Sequence, residues 1–166
     1  MLNFSMKKIV ITGILVAALS LSCDDTRKAF HENYLEFVMH TDSLEVVHDA
    51  MIVSHEQLKT DTRTLSQKLK DVEETDSIAM ADLQKHQMLL KQQSEKLKKL
   101  KSIIESHSEL KAYFMSDSIS LTQMEQQLTD MEVNNEEIAA RLNQIKTELK
   151  TIEAEQEALK QSSEEE

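Results

Sequence analysis

Histidines, carboxylates and one cysteine are the residues of this chain whose side chains have reactive chemistry. The six histidines are His31, His40, His48, His55, His86 and His107. A metal site on one helix usually needs ligands three or four residues apart, and no two of these histidines have that spacing. The sequence also lacks a glycine-rich phosphate loop and a nucleophile elbow. It therefore predicts no catalytic residues, no metal site and no cofactor, and so no enzyme.

The only cysteine, Cys23, follows a segment that is typical of a secretory signal peptide. Two lysines at positions 7 and 8 precede the apolar run 9–19, and small residues follow it. That run is too short to cross a bilayer, which takes about 20 apolar residues. A lone cysteine also has no disulfide partner within the chain. We predict that residues 1–22 are a signal peptide, with translation starting at either Met1 or Met6.

Residues 19–23, Leu-Ser-Leu-Ser-Cys, resemble the lipobox of bacterial lipoproteins. The family usually has an aliphatic residue three places before the cysteine, where this chain has Ser20. The resemblance implies cleavage between Ser22 and Cys23 and attachment of fatty acyl chains such as palmitate to Cys23. It thus implies a lipid-anchored protein of a bacterial envelope, facing the periplasm or the surface, with the choice of membrane left open. The alternative is an ordinary signal peptide with a cysteine near its cut.

The composition of the remaining chain indicates helices and excludes several classes of protein. Proline is absent, and the single glycine, Gly13, lies in the predicted signal peptide, whereas a β-rich domain needs frequent turn residues. Removing the signal lysines would lower the net charge from −11 to −13, which argues against nucleic acid as a partner. The lysine-rich run 96–101 has no interleaved aromatic residue, so we interpret it as a solvated or salt-paired face.

Seven-residue spacing of apolar side chains divides the chain into three helical segments, predicted over roughly 28–73, 77–113 and 118–160. The first has one seam at Phe30, Phe37, Leu44, Met51, Leu58, Leu65 and Val72, and a more polar seam at Tyr34, Thr41, His48, His55, Thr62 and Leu69. The second has Leu83, Leu90, Leu97 and Ile104. The third alternates Met124, Met131, Ile138, Ile145, Ile152 and Leu159 with Leu121, Leu128, Asn135, Leu142, Leu149 and Gln156.

Helix-capping residues predict the boundaries between these segments. Thr75-Asp76-Ser77 and Ser116-Asp117-Ser118 are typical of new helix starts. Asp42 with Glu45 favours a kink or restart near Thr41. We divide the chain into the signal peptide 1–22, a lipidated tether 23–29, a helical ectodomain 30–160 and an acidic disordered tail 161–166.

Two all-α architectures fit these segments: an antiparallel three-helix coiled-coil-like bundle and an extended coiled-coil rod. The five mature aromatic residues (Phe30, Tyr34, Phe37, Tyr113 and Phe114) would meet at the membrane-near end only in the folded form. In addition, segment 77–113 carries a net charge of +3, whereas 30–73 and 118–160 each carry −5. A basic helix between two acidic ones suits lateral packing, so we predict the bundle.

The sequence leaves the role of the ectodomain open between two classes. Residues 44–51 are similar to a helix of small bacterial lipoproteins labelled "viral A-type inclusion protein-like", a group whose resemblance implies no activity. We predict a structural or protein-interaction module that contacts other envelope proteins or pairs with itself through the third helix. The alternative is a periplasmic chaperone or adaptor with a methionine-containing apolar groove for clients. His48 and His55 lie at seam positions, so protonation near pH 6 would place charge there if they are not simply polar seam residues.

Overall fold

A computed structural model describes residues 23–70, 77–114, 116 and 118–164 of the protein. They form three α-helices, and none of the described residues lies in a strand: α1 (Cys23–Lys70), α2 (Ser77–Phe114) and α3 (Leu121–Glu164). All three helices pack on one another, and α1 makes the largest share of the contacts. The chain is therefore the predicted all-α three-helix bundle.

Interhelical hydrogen bonds give the direction of each helix. From Thr41 to His48 and His55 along α1, the partners on α2 run backwards from His107 to Leu90, so α1 and α2 are antiparallel. The bonds from α1 to α3 join residues 94 apart at both ends of the core, so these two helices are parallel and in register. The topology is up, down, up.

The seam of α1 lies in the core as predicted, including its polar half. The side chains of Leu44, Met51, Leu58, Leu65 and Leu69 are buried, and so are those of Tyr34, Thr41, His48, His55 and Thr62. Phe30 and Phe37 are partly buried at the start of the helix. Val72 lies outside the described residues. Helix α1 thus buries its polar seam as well as its apolar one. It can do so because hydrogen-bonding partners on α2 and α3 replace the water that the polar side chains lose.

Helix α2 has a second seam that the sequence analysis missed. Besides the predicted Leu83, Leu90, Leu97 and Ile104, the helix buries Ala79, His86, Gln93, Leu100, His107 and Phe114 at seven-residue intervals. Only half of those additional residues are apolar, so periodicity of apolar residues does not reveal them. Helix α3 buries both of its predicted seams, with Leu121 and Leu159 only partly covered.

Several boundaries differ from the predicted ones. Helix α1 begins at Cys23, so the stretch predicted as a tether is helical, and α3 continues to Glu164 through most of the predicted disordered tail. No break occurs at Thr41, whose hydroxyl oxygen lies 2.9 Å from the Phe37 carbonyl oxygen within the helix. Residues 71–76 lie outside the described part of the chain.

Helix α3 begins at Leu121, three residues later than predicted, because Ser120 is its N-cap. The Gln123 backbone N–H donates to the Ser120 hydroxyl oxygen at 3.3 Å, and the Ser120 N–H donates to Gln123 Oε1 at 3.0 Å. This reciprocal capping box satisfies two backbone donors that a helix start leaves open.

Candidate functional site: the polar core, the anchor end and the grooves

Four of the six histidines are buried in the core of the bundle. His48 and His55 come from α1 and His86 and His107 from α2, and none is more than 2% exposed. His31 is half-buried and His40 is exposed. The sequence placed only His48 and His55 at seam positions, so the burial of His86 and His107 is a feature that it did not indicate.

His48 and His55 donate to the backbone of α2. Their Nε2 atoms lie 3.0 Å from the Leu97 carbonyl oxygen and 2.7 Å from the Leu90 carbonyl oxygen. Since a carbonyl oxygen only accepts, we assign the hydrogen to Nε2 in each ring. These bonds tie α1 to α2 through the interior at two positions about two helical turns apart.

The second ring nitrogen of each histidine faces a carboxylate that follows it in the sequence. His48 Nδ1 lies 3.0 Å from Asp49 Oδ1, and His55 Nδ1 lies 3.4 Å from Glu56 Oε1. A ring with two protons donates to both oxygens, whereas a neutral ring satisfies only one of them. Both nitrogens of each of these two rings therefore face an oxygen that accepts hydrogen bonds.

His107 has the opposite surroundings. Its Nδ1 lies 3.0 Å from the Thr41 hydroxyl, and its Nε2 lies 3.3 Å from Nδ2 of Asn134. An amide nitrogen only donates, so Nε2 accepts and Nδ1 carries the hydrogen in the network that we assign. The Thr41 hydroxyl is also 2.9 Å from Asn135 Oδ1 and donates to it. Burial lowers the pKa of His107, which matches a ring held neutral.

Further polar pairs cross the core nearer to the far end of the bundle. His86 Nε2 donates to Glu155 Oε2 at 2.6 Å, while its buried Nδ1 has no partner within the described part of the chain. Gln93 donates to Glu148, and Gln156 donates to the Thr62 hydroxyl. Polar contacts thus recur at successive levels of an otherwise apolar interior, and each of them specifies a register between two helices.

The end of the bundle where α1 begins is closed by aromatic residues. The rings of Tyr34 and Phe114 stack with centroids 4.4 Å apart and planes inclined by 13°, and Phe30 and Phe37 pack on the same cluster. Burial, followed by the charge of Asp42, raises the pKa of the Tyr34 hydroxyl. Four of the five aromatic residues meet as predicted.

The prediction for Tyr113 was wrong: its side chain is 50% exposed. Tyr113 and Phe114 are adjacent on a helix, and side chains at adjacent positions point about 100° apart, given 3.6 residues per turn. When Phe114 faces Tyr34 in the core, Tyr113 must point outwards.

Two polar residues near the start of α1 hold the turn between α2 and α3. Arg27 Nη2 donates to the Ile119 carbonyl oxygen at 2.8 Å, and His31 Nε2 donates to the Phe114 carbonyl oxygen at 2.7 Å. The sequence pattern indicates neither contact. Arg27 ties the stretch predicted as a tether to the bundle, and His31 does the same for the turn of α1 that follows.

The predicted anchor lies at this same end. Cys23 is the first residue of α1. Ser22, the predicted cleavage partner, and the predicted signal peptide 1–22 lie outside the described residues. Within the part of the chain that the structure describes, no helix combines the length and the apolar character that crossing a bilayer requires.

Two grooves run along α1. The one shared with α3 has a volume of about 730 Å³ and exposes Val46, Val47 and Val53 beside buried Met51. The one shared with α2 has a volume of about 510 Å³ and is lined by polar and charged residues together with Leu90. Of the other methionines, Met124 and Met131 fill the core, whereas Met39 and Met88 are exposed.

The lysine-rich run on α2 pairs with carboxylates of both neighbouring helices. Lys101 forms an ion pair with Glu45 of α1, and Lys96 lies 3.7 Å from Glu148 of α3. Burial acts to raise the pKa of Glu148, but hydrogen bonds from glutamines and the charge of Lys96 lower it on balance. The basic middle helix thus pairs with its two acidic neighbours, as the charge pattern predicted.

The described residues contain no cluster of three or more histidine, cysteine, aspartate or glutamate side chains arranged to hold a metal ion. No protein-family model, curated protein or solved structure matches the chain.

Proposed function

We propose that this protein is a lipid-anchored protein of a bacterial envelope whose helical ectodomain acts as a structural or protein-interaction module without enzymatic activity. The observation that carries the proposal is the sequence itself: a charged flank, a short apolar run and then the only cysteine of the chain. Acyl chains on Cys23 would anchor it, because each buried methylene contributes about 0.8 kcal/mol and two chains hold firmly. The ectodomain would then face the periplasm or the cell surface.

The bundle offers support for a structural role of the ectodomain. Helix α1 begins at Cys23, and Arg27 and His31 attach its first turns to the turn between α2 and α3. An anchor at Cys23 would thus join a packed bundle directly. A helix of 48 residues extends about 72 Å at 1.5 Å per residue, which suits a stalk that holds a binding surface away from a membrane.

The test is the intact mass of the protein extracted from envelopes, compared with that of a Cys23→Ala variant. We expect a chain that begins at residue 23 and carries acyl groups, and we expect the variant to lose them. An unacylated wild-type chain, or a retained signal peptide, would contradict the anchor.

One observation favours a second candidate, a periplasmic chaperone or adaptor. The groove between α1 and α3 exposes three valines and is large enough for several apolar side chains of a client. This function predicts that the protein suppresses aggregation of an unfolding client, and that Val53→Lys removes the effect. A structural stalk predicts no suppression by either form.

The predicted self-association through the third helix remains a proposal with a constraint. Both apolar seams of α3 face α1 and α2 in the bundle, with Ile138, Leu142 and Ile145 fully buried. Pairing through these seams would require the bundle to open. Pairing of closed bundles needs an apolar face that points outwards.

A further inference from the structure

Helix α1 has a second apolar stripe on the face that points away from the core. Met39, Val46 and Val53 follow one another at seven-residue intervals and are 70%, 71% and 71% exposed. The small residues Ser43 and Ala50 lie between them, so large and small side chains alternate at spacings of four and three. Alternating spacings of four and three residues are those of a coiled-coil seam. We call residues 39, 43, 46, 50 and 53 the outer stripe.

Two hydroxyl groups at the outer stripe already have partners within α1. The Ser43 hydroxyl donates to the Met39 carbonyl oxygen at 2.9 Å, and the Ser54 hydroxyl donates to the Ala50 carbonyl oxygen at 3.2 Å. Covering this face would therefore leave neither hydroxyl unpaired, and so would avoid the usual desolvation cost of buried polar groups.

The exposed apolar surface is concentrated at this stripe. Six of the ten large apolar side chains that are exposed in the described part of the chain lie between residues 35 and 53 of α1, where Leu35 and Val47 flank the stripe. The three exposed ones on α2 lie at least ten residues apart, and α3 has a single one, Val133. Scattered apolar side chains are normal on a surface, whereas a continuous patch marks a site of interaction.

Opposite charges border the two sides of the outer stripe. Asp42, Asp49 and Glu56 follow the side towards α2, again at seven-residue intervals. On the other side, Lys146 and Lys150 of α3 line the groove beside the stripe. By the offset of 94 between α1 and α3, the two lysines lie level with positions 52 and 56 of α1. The acidic residues of the groove, at positions 61, 153 and 157, lie level with or beyond residue 59, past the end of the stripe.

We propose that the outer stripe binds the outer stripe of a second copy of this chain, with the two α1 helices parallel. A twofold axis along the helices places Asp49 and Glu56 of each copy beside Lys146 and Lys150 of the other, because the two lysines lie level with positions 52 and 56. An antiparallel pair centred on Val46 instead brings Asp42 of each copy level with position 50 of the other, and so beside its Asp49, which is unfavourable. The partner of the interaction module proposed above would thus be a second copy of the chain. This inference rests on the proposed role as an interaction module, but it does not depend on acylation of Cys23. Both copies would present Cys23 at the same end.

The test is disulfide cross-linking of the full-length protein in isolated membranes. Met39→Cys, Val46→Cys and Val53→Cys are made one at a time, and Val133→Cys on α3 is the matched control because it replaces another exposed valine. Under mild oxidation we expect each of the three outer-stripe variants to shift to twice the monomer mass on a non-reducing gel. In a parallel pair each cysteine meets its own copy, within the Cα separation of about 4.4–6.8 Å that a disulfide needs. We expect Val133→Cys to stay monomeric.

Three results would overturn the pairing. The first is an antiparallel pair. In that case, of the three single variants only Val46→Cys would form a dimer, and co-expressed Met39→Cys and Val53→Cys chains would form a mixed disulfide. Another is dimer from Val133→Cys in place of the outer stripe. The third is no dimer from any variant, which would leave the stripe to a client or a different protein.

Two controls separate this proposal from the anchor and from misfolding. The cross-links are also scored with Cys23→Ala, so that a free Cys23 thiol does not produce the band. Adding Val53→Glu to the Val46→Cys chain should abolish its dimer while leaving its helical circular dichroism unchanged, since position 53 is exposed. Acylated protein that forms no cross-links would refute the pairing and leave the anchor standing. Unacylated protein that forms the cross-links would refute the anchor and leave the pairing standing.

Discussion

The neutral state of His107 predicts that acid destabilises the bundle, and His107→Gln is the variant that isolates the effect. The ring lies between the Thr41 hydroxyl and the Asn134 amide, and Asp42 and Glu105 line the small pocket beside it. Protonation would place an N–H on Nε2 against the N–H₂ of Asn134. Glutamine keeps a polar amide at this position and has no proton to gain.

The sign of the effect follows from the pKa, which burial lowers in the folded protein. In the unfolded chain the histidine has its ordinary pKa of about 6.5, so the unfolded state binds the proton more readily. The stabilising contribution is fully present above about pH 6.5 and is lost as the pH falls below it towards the folded pKa. One proton changes the free energy of unfolding by at most about 1.4 kcal/mol per pH unit. Between about pH 7.5 and pH 5.5, His107 therefore accounts for a loss of up to about 1.4 kcal/mol.

The assay is urea unfolding of the purified full-length protein, followed by helical circular dichroism at both pH values. Wild type should lose about 1 kcal/mol more than His107→Gln on acidification, because the other titrating groups contribute equally to both proteins. Asn134→Asp is the matched control. It places an acceptor beside Nε2, so it should reduce the acid sensitivity. Equal losses in wild type and His107→Gln would refute the assignment of a neutral, buried ring.

Three further predictions concern packing and capping. Leu97→Ala should lower the free energy of unfolding by about 2–5 kcal/mol, because Leu97 is fully buried. The control Met88→Ala, at an exposed position of the same helix, should change it by less than about 0.5 kcal/mol. Urea unfolding midpoints of the two variants test this difference. Tyr34→Ala should cost about 3–5 kcal/mol through loss of the stacked ring, whereas Tyr34→Phe should cost only about 1 kcal/mol; similar losses in thermal unfolding would argue against the stack. Ser120→Ala should cost about 1 kcal/mol by removing the cap of α3, measured by the same unfolding curves, and no change would mean that the capping box contributes nothing.

The periodicity of the chain predicted most of the helical architecture. Residues such as Leu44, Met51 and Ile138 occupy the core positions that their spacing indicated. The start of α2 at Ser77 also agrees with the prediction. These features are local: the spacing of side chains along one helix determines which of them share a face, whatever the face packs on.

Boundaries and polar positions were predicted less well. The charges of residues 24–29 suggested a tether, but Arg27 finds a carbonyl acceptor on a turn 92 residues away and lies in α1. The second seam of α2 contains His86 and His107, whose types do not distinguish a solvated face from a buried one. Such residues are buried only where another helix supplies a partner, as Glu155 and Thr41 do here.

The sequence by itself determined that the chain would form long helices, where their apolar faces lie, and that its only cysteine follows a signal-like segment. The tertiary structure decided that the helices fold back into a bundle, that Phe114 and not Tyr113 stacks on Tyr34, and that His107 is held neutral while His48 and His55 face acceptors. It also showed that the other described residues leave the outer stripe of α1 uncovered. The physical reason is that helix formation and its faces depend on neighbours in sequence. The surroundings of a side chain depend instead on residues that only packing brings close.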